Sequence, residues 1–279
     1  MALMLAQITD LHLREPGRIA YGRLDTAPYL SAAIQALLEL RPRPDTVVLT
    51  GDLTDFGRAE EYAHLSQRLE PLDHAGISYF LMPGNHDDRE ALRRSFPEHR
   101  YLGEAGFVQY TVPIGASGPL RLVALDTVHH GHSEGRLCPE RLRWLDDTLR
   151  RHAGEPIVLA MHHPPFTTLI GHMDRMGLLQ GTDELAEIVK AHPNVERIIC
   201  GHLHRSIHAR FAGTVASTAP SPAHQICLDL APDAPAAWTL EPPGFHLHAW
   251  DGPGRLVTHA ATVGRYPGPY PFDESASTA

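Results

Sequence analysis

Potential metal-ligating residues follow directly after five apolar segments of this 279-residue chain. Each segment has the length and composition of a strand. In open α/β folds the functional residues lie at the carboxyl ends of strands, so we expect these five ends to converge on one region of a sheet. The residues concerned are Asp10 and His12, Asp52 and Asp55, Asn85, His86 and Asp87, His162 and His163, and His202 and His204.

Two pairs of these residues are spaced two positions apart, Asp10 with His12 and His202 with His204. Residues i and i+2 of an extended chain point the same way, so each pair is expected to face one metal ion. Imidazole and carboxylate ligands suit zinc, iron, manganese or cobalt better than calcium or magnesium. Each motif alone is common in proteins without a metal, but their order and placement together predict a metal centre.

The chain has 20 histidines, and we expect most of those outside the five segments to be ordinary surface or core residues. His129, His130 and His132 surround Gly131, and a solvated loop is the expected structure there. The same expectation of an ordinary role holds for His64, His74, His99, His152, His192, His208, His246, His248 and His259.

Short apolar runs alternate with amphipathic stretches, which predicts an α/β domain. The predicted helices cover residues 28–40, 59–72, 88–96, 139–152 and 183–192. The predicted strands cover 3–8, 46–50, 77–82, 108–113, 120–126, 157–161 and 195–200, with several short strands between 205 and 260. We expect one catalytic domain over residues 1–264 and a Pro- and Gly-rich tail over 265–279.

The bulk composition excludes several classes of protein. A formal net charge of −9 disfavours binding of a nucleic acid polymer. The three cysteines, Cys138, Cys200 and Cys227, form no close pair, which indicates reduced thiols in the cytoplasm. No run of 18 apolar residues exists, and the short apolar N-terminus lacks a basic lead-in, so we expect neither a membrane span nor a signal peptide.

The ordered motifs Asp-x-His, Gly-Asp, Gly-Asn-His-Asp, His-His-Pro-Pro and Gly-His-x-His resemble those of the calcineurin-like metallophosphoesterase superfamily. They span residues 10 to 204. The local context looks like the bacterial branch of class III cyclic-nucleotide phosphodiesterases and glycerophosphodiesterases, as judged from Tyr21-Gly22, Arg58–Tyr62, Met82–Asp88 and His224-Gln225. The resemblance implies a four-layer αββα sandwich, in which two mixed β-sheets are flanked by helices.

The resemblance also implies two metal ions, chosen among iron, manganese, zinc and cobalt, that share Asp52. The first ligand set would be Asp10, His12, Asp52 and His204, and the second Asp52, Asn85, His162 and His202. His86 would not bind metal but would stabilise or protonate the leaving oxygen. The outer shell or substrate contacts would come from Tyr21, His163 and His224.

The implied activity is hydrolysis of small phosphodiesters, such as cyclic nucleotides or glycerophosphodiesters, by a metal-activated hydroxide. Asp55 stands where purple acid phosphatases carry a metal-binding tyrosine, and Phe56 replaces the phosphate-binding arginine of protein phosphatases. The alternatives are a phosphomonoesterase or nucleotide hydrolase, a nuclease, and a scaffold without activity. The segments Pro242–Trp250 and Tyr266–Phe272 are expected to pack against another subunit, as in a homo-oligomer.

Overall fold

The computed structural model describes residues 2–115 and 118–272. Its helices are α1 (Ala27–Glu39), α2 (Ala59–His74), α3 (Arg89–Ser95), α4 (Pro139–Arg151), α5 (Gly171–Asp174) and α6 (Thr182–Ala191), with a 3-10 turn at Arg100–Leu102. Its strands are β1 (Leu3–Ile8), β2 (Thr46–Thr50), β3 (Ser78–Met82), β4 (Tyr110–Ile114), β5 (Leu120–Leu125), β6 (Gly135–Arg136), β7 (Ile157–Met161), β8 (Leu178–Gln180), β9 (Val195–Cys200), β10 (Ile207–Phe211), β11 (Thr214–Thr218), β12 (Gln225–Ile226), β13 (Trp238–Thr239), β14 (Gly244–Trp250) and β15 (Leu256–Thr262).

Two mixed sheets form the centre of the molecule. The first has the strand order β15-β14-β1-β2-β3, in which β1, β2 and β3 run parallel and β14 is antiparallel to β1. The second has the order β10-β11-β9-β7-β5-β4, with β5, β7, β9 and β11 parallel. The C-terminal strands therefore complete both sheets, although they follow the last helix in the sequence.

Alternating side chains of the strands divide the core into layers. On β5, Leu122 and Ala124 belong to the cluster between the sheets, whereas Val123 and Leu125 pack with α4 and α6. Apolar residues of α1 and α2 cover the first sheet. Because successive residues of a strand point to opposite faces, this alternation produces four layers, αββα. The fold class expected from the sequence is confirmed.

Two helix N-termini hold loops that carry residues of the predicted site. Asp88 caps α3 by accepting a hydrogen bond from Ala91 N at 2.7 Å, directly after the Asn85–Asp87 segment. Glu61 in the first turn of α2 accepts from Arg58 N at 3.1 Å, which closes the loop that follows Asp52. Capping hydrogen bonds between residues close in the sequence therefore hold both loops at the same edge of the first sheet.

The structure differs from the sequence expectation in where the five strand ends lie. The ends of β1, β2 and β3 belong to the first sheet, whereas those of β7 and β9 belong to the second, so the site spans two sheets rather than one region of a single sheet. The predicted helices and long strands occur with bounds that shift by up to two residues. Three short elements, α5, β6 and β8, were not predicted because they are too short to show a period, whereas β12 and β13 lie among the short strands expected between residues 205 and 260.

The predicted tail is described only in part. Residues 265–272 contain neither helix nor strand, and residues 273–279 lie outside the described residues. Among the helices of the described ranges, none is long and apolar enough to cross a membrane.

Candidate metal centre

The backbone after β1, β2 and β9 turns sharply at the residues that carry the predicted ligands. Five of these residues have positive φ angles, namely Asp10 (55°), His12 (43°), Asp52 (48°), His202 (69°) and His204 (50°). This left-handed region costs of order 1–3 kcal/mol for a residue other than glycine. The extended alternation expected for the two spaced pairs is therefore wrong, and it is the left-handed turns that bring both members of each pair inward.

Close backbone approach between two loops explains two of the glycines. A Cβ on Gly51 would lie 2.5 Å from His162 Nδ1 and 2.8 Å from Gly84 Cα. A Cβ on Gly84 would collide with Oδ1 and the backbone nitrogen of Asp52. The loops after β2 and β3 can touch only because both residues lack a side chain.

One half of the site lies around the carboxyl end of β1. His12 Nε2 lies 3.3 Å from His204 Nε2 and 3.6 Å from Asp52 Oδ2. His204 Nε2 lies 3.6 Å from Asp10 Oδ1. These four side chains are at least 95% buried, and their nitrogen and oxygen atoms converge from three strand ends.

The other half lies between β3, β7 and β9. His162 Nε2 lies 3.4 Å from Asp52 Oδ1 and 3.1 Å from Asn85 Oδ1. The ring of His202 packs edge-on against His162, with centroids 5.1 Å apart. Asp52 thus presents one carboxylate oxygen to each half of the site, which is the geometry of a shared ligand.

Hydrogen bonds on the side away from the centre orient imidazoles of both halves. Three of them place Nδ1 against an oxygen acceptor, so that Nδ1 carries the proton and Nε2 offers its lone pair to the centre. The acceptors are Asp55 Oδ1 at 3.3 Å for His12, Thr50 O at 2.9 Å for His162, and His224 O at 3.1 Å for His204.

Two buried atoms of the centre lack a hydrogen-bond partner among the described residues, Asp10 Oδ2 and His202 Nε2. Burial raises the pKa of Asp10 to about 7 and lowers the pKa of His202 to about 3. A cation next to Asp10 would stabilise its carboxylate, and neutral imidazole is the form in which His202 can ligate a metal. The donor set and its unpartnered atoms therefore fit a metal ion.

His86 lies at the edge of the centre rather than within it. Its backbone nitrogen donates to Asp52 Oδ1 at 2.9 Å, and its Nδ1 donates to Asp55 O at 2.8 Å. The side chain is 35% exposed and its ring packs edge-on against His12. Nε2 is the nitrogen left to meet a ligand in the cavity that His86 lines.

The three residues predicted for the outer shell have different positions. Both nitrogens of His163 are engaged, Nδ1 with Thr127 Oγ1 at 2.8 Å and Nε2 with Ser133 O at 3.0 Å, so no lone pair is free for a metal. His224 lies closer to the centre than expected, because its ring is 4.5 Å from that of His204 and its buried Nδ1 has no partner within the described ranges. Tyr21 packs edge-on against His224 and is 43% exposed.

A cavity of about 230 Å³ opens over the centre. One side consists of the histidines and Asp52, and the other side is largely apolar. The apolar side includes Tyr21, His172, Met173, Met176, Ile226, Ala236, Ala237 and Trp238. The rings of Tyr21, His224 and Trp238 lie 5.1–5.7 Å apart and form an aromatic wall.

Sequence reasoning missed one residue that shapes the site, Trp238, and assigned no positioning role to two that it had named, Asp55 and Asp87. Asp87 accepts from Leu53 N and Gly84 N at 3.0 and 2.8 Å, and so ties the loop after β2 to the loop after β3. Asp55 orients His12, and Trp238 arrives from a distant hairpin. The Asp87 position was visible within the Gly-Asn-His-Asp motif, whereas no local pattern marks Trp238.

Comparison with known proteins identifies similar chains. Residues 3–206 match the family model described as calcineurin-like phosphoesterase. A probable glycerophosphodiester phosphodiesterase of Arcobacter nitrofigilis is 36% identical over 97% of this chain and 97% of its own length. A probable cyclic nucleotide phosphodiesterase of Rhodopseudomonas palustris is 34% identical over 94% of this chain and 93% of its own.

Solved structures agree with this fold. A dimetal phosphatase from Danio rerio superimposes with a TM-score of 0.62 at 16% identity, covering 94% of this chain and 99% of that structure. An identity this low supports the architecture alone.

We expect Gly84→Ala to reduce metal affinity by about 10–100-fold or more, since the new methyl group must displace Asp52. Metal bound per chain, measured by plasma mass spectrometry after dialysis against a metal buffer, checks this. Gly154→Ala is the matched control, because a Cβ there meets nothing within 4 Å. Equal metal affinity in the two variants would show that the close approach of the loops does not position Asp52.

Proposed function

The chain belongs to the calcineurin-like phosphoesterase family, and from that premise we propose that it hydrolyses small phosphodiesters with two metal ions bound. The observation that carries the proposal is the position of Asp52, whose two oxygens face two different sets of potential ligands. A shared carboxylate is what holds two ions close enough to act on one phosphate. The names of similar chains, which cover glycerophosphodiesters and cyclic nucleotides, support a diester substrate.

Each half of the site supplies a donor set for one ion in this proposal. The first set is Asp10, His12, Asp52 and His204, and the second is Asp52, Asn85, His162 and His202. Their mixture of imidazole, carboxylate and amide oxygen suits iron, manganese, zinc or cobalt. His163 is left out of both sets because its nitrogens are already engaged.

When bound, the two ions supply Lewis acidity, which activates a water molecule and neutralises charge on the phosphate. His86 supplies the proton for the leaving oxygen from Nε2, while its Nδ1 stays bonded to Asp55 O. Burial acts to lower the pKa of His86, but the Asp52 carboxylate and the Asp55 carbonyl outweigh it and raise the pKa. A raised pKa favours the protonated ring, which is the form that a general acid requires.

The charge of the cavity favours a diester over a monoester. None of the described residues that line the cavity is a lysine or arginine. A monoester carries a second negative charge, which other phosphatases match with a guanidinium group. Phosphomonoesterase activity on the same scaffold is the second candidate, and the net charge of −9 disfavours a nucleic acid polymer.

The aromatic wall favours a substrate with a planar group. Tyr21 and His224 flank Trp238, and Met173 and Ile226 extend the apolar surface. Stacking of a base on an aromatic side chain contributes about 1–3 kcal/mol. We therefore favour a diester of the cyclic nucleotide kind over one whose substituents are both glycerol. The homo-oligomer and the cytoplasmic location stay predictions.

The wild-type protein is expected to cleave bis(4-nitrophenyl) phosphate with a kcat/KM about 10-fold or more above that for 4-nitrophenyl phosphate, since no lysine or arginine among the described cavity-lining residues matches the second charge. Release of nitrophenolate measures both rates in the metal-loaded enzyme. A preference for the monoester would replace the proposal with the second candidate, and degradation of single-stranded DNA at a comparable rate would replace it with a nuclease.

His86→Ala is expected to lower kcat by about 10²–10⁴-fold while the metal content stays at the wild-type value. The physical reason is that His86 gives up a proton but is not a donor to either ion. Steady-state kinetics and metal analysis on the same sample check both parts. The control is His259→Ala on the exposed side of β15, which should change neither. Loss of metal from His86→Ala would move His86 into a ligand set.

Trp238→Ala is expected to raise KM for 3',5'-cyclic AMP about 10-fold, through loss of the stacking surface. Glycerophosphoglycerol serves as the control substrate, since it offers neither a ring nor a cation to the aromatic wall. Its KM should change less than 2-fold in the same variant. An equal rise for both substrates would mean that Trp238 holds the cavity open and does not recognise a planar group.

A further inference from the structure

A second group of potential metal ligands lies outside the centre, in the loop between β5 and β6. His129 Nδ1 and His132 Nδ1 each lie 3.1 Å from the same oxygen, Glu134 Oε1. The two imidazole rings are parallel, with centroids 3.9 Å apart and an interplanar angle of 2°. The loop is exposed to solvent, as expected from the sequence, and within it three potential donor atoms lie close together. Because the rings are parallel, one imidazole must turn for both Nδ1 lone pairs to meet the same ion.

The spacing of these donors matches a small metal ion. The three atoms lie within 4.8 Å of one another. An ion held at 2.0–2.1 Å by tetrahedral ligands separates neighbouring donors by about 3.3 Å, close to the two distances seen here. Two imidazoles with one carboxylate suit zinc and similar borderline cations better than calcium or magnesium.

A local turn produces the cluster. His132 N donates to His129 O at 2.9 Å, which closes a four-residue turn and places the two histidines side by side. Gly131 occupies the third position with φ of 80°, as a type II turn requires. The side chain of His130, the remaining residue of the turn, is not part of the cluster. The order His-His-Gly-His-Ser-Glu therefore encodes this arrangement locally.

The cluster is more exposed than the catalytic centre. The side chains of His129, His132 and Glu134 are 25%, 52% and 26% exposed, respectively. With three protein donors and an open side toward solvent, a tetrahedral ion there would keep one position for water. Such a site exchanges its ion with the solution more readily than a buried one.

The same loop borders the catalytic cavity. Ser133, between two members of the cluster, lines that cavity, and its carbonyl accepts a hydrogen bond from His163 Nε2 at 3.0 Å. Gly135, two residues after Ser133, is so close to His163 that a Cβ would lie 2.5 Å from Cγ of the ring. The ring of His163 in turn packs 4.6 Å from that of His202. Ordering of the loop therefore reaches the edge of the proposed active site.

We propose that His129, His132 and Glu134 form a third metal site, which binds a divalent cation of the zinc type and orders the loop beside the catalytic cavity. This site is separate from the two ligand sets that share Asp52. Because the site is exposed, its ion binds reversibly. The order of the loop, and with it the position of Ser133, would then depend on the concentration of free metal.

The test counts zinc. Full-length wild-type protein and His132→Ala are dialysed to equilibrium against a series of buffered Zn²⁺ concentrations, and bound zinc is measured by plasma mass spectrometry. The wild type is expected to bind one more ion per chain than His132→Ala. Glu134→Gln keeps the size of the side chain but loses its charge, and it should weaken binding of that ion about 10-fold or more.

His130→Ala is the matched control, since it removes a neighbouring exposed imidazole of the same turn that is outside the cluster. It should bind as much zinc as the wild type. Equal counts in the wild type and His132→Ala, or the same loss in His130→Ala, would overturn the third site. The count in His132→Ala separately reports the ions of the centre, so failure of the proposed function is distinguishable from failure of this site.

Hydrogen exchange tests the effect on the loop. Zinc is expected to slow amide exchange of residues 129–134 in the wild type and in His130→Ala, but not in His132→Ala. Because this readout needs no substrate, it does not depend on the activity of the enzyme. If zinc binds with the predicted stoichiometry and exchange of these amides is unchanged, the coupling between the site and the loop is wrong.

Discussion

The position of the Asp52 carboxylate is the constraint on which the rest of the site depends. Its two oxygens face histidines that come from different sheets, His12 on one side and His162 on the other. It reaches this position because its backbone is left-handed and because Gly84 leaves room for it. Aspartate adopts that backbone region more readily than most residues, which lowers the cost of the strain. The packing of the two sheets therefore decides which side chains the Asp52 carboxylate can reach.

Two backbone carbonyls and one carboxylate orient the imidazoles of the centre. The carbonyl of Thr50, the last residue of β2, holds His162, and the carbonyl of His224 holds His204. Asp55 does the same for His12 through its carboxylate. Each contact fixes the proton on Nδ1 and leaves Nε2 for the centre. A shift of either sheet would therefore move the donor atoms relative to one another. Gly51 and Gly84, which have no room for a Cβ, allow the loops after β2 and β3 to pack closely and so keep this geometry.

The two sides of the cavity have different origins. The polar side is built from the ends of long parallel strands and carries the proposed chemistry. The apolar side is built from short elements and loops, where Trp238 on β13 meets Tyr21. The loop of residues 129–135 joins both sides through Ser133 and His163. Loops tolerate change better than strands, so the proposed substrate preference and the proposed metal response both lie in the parts of this fold that are freer to vary.

The α/β class, the long helices and strands, and most of the residues that meet at the centre could be predicted from the sequence, because periodic burial and motifs such as Asp-x-His are local signals. The pairing of the strands placed their ends in two sheets, and the loop contacts made Asp10 and His12 left-handed rather than extended. The tertiary structure also brought Trp238 to the site and placed Asp55 against His12. These features depend on strand pairing and contacts between residues far apart in the chain, such as β1 with β14, which no local pattern encodes.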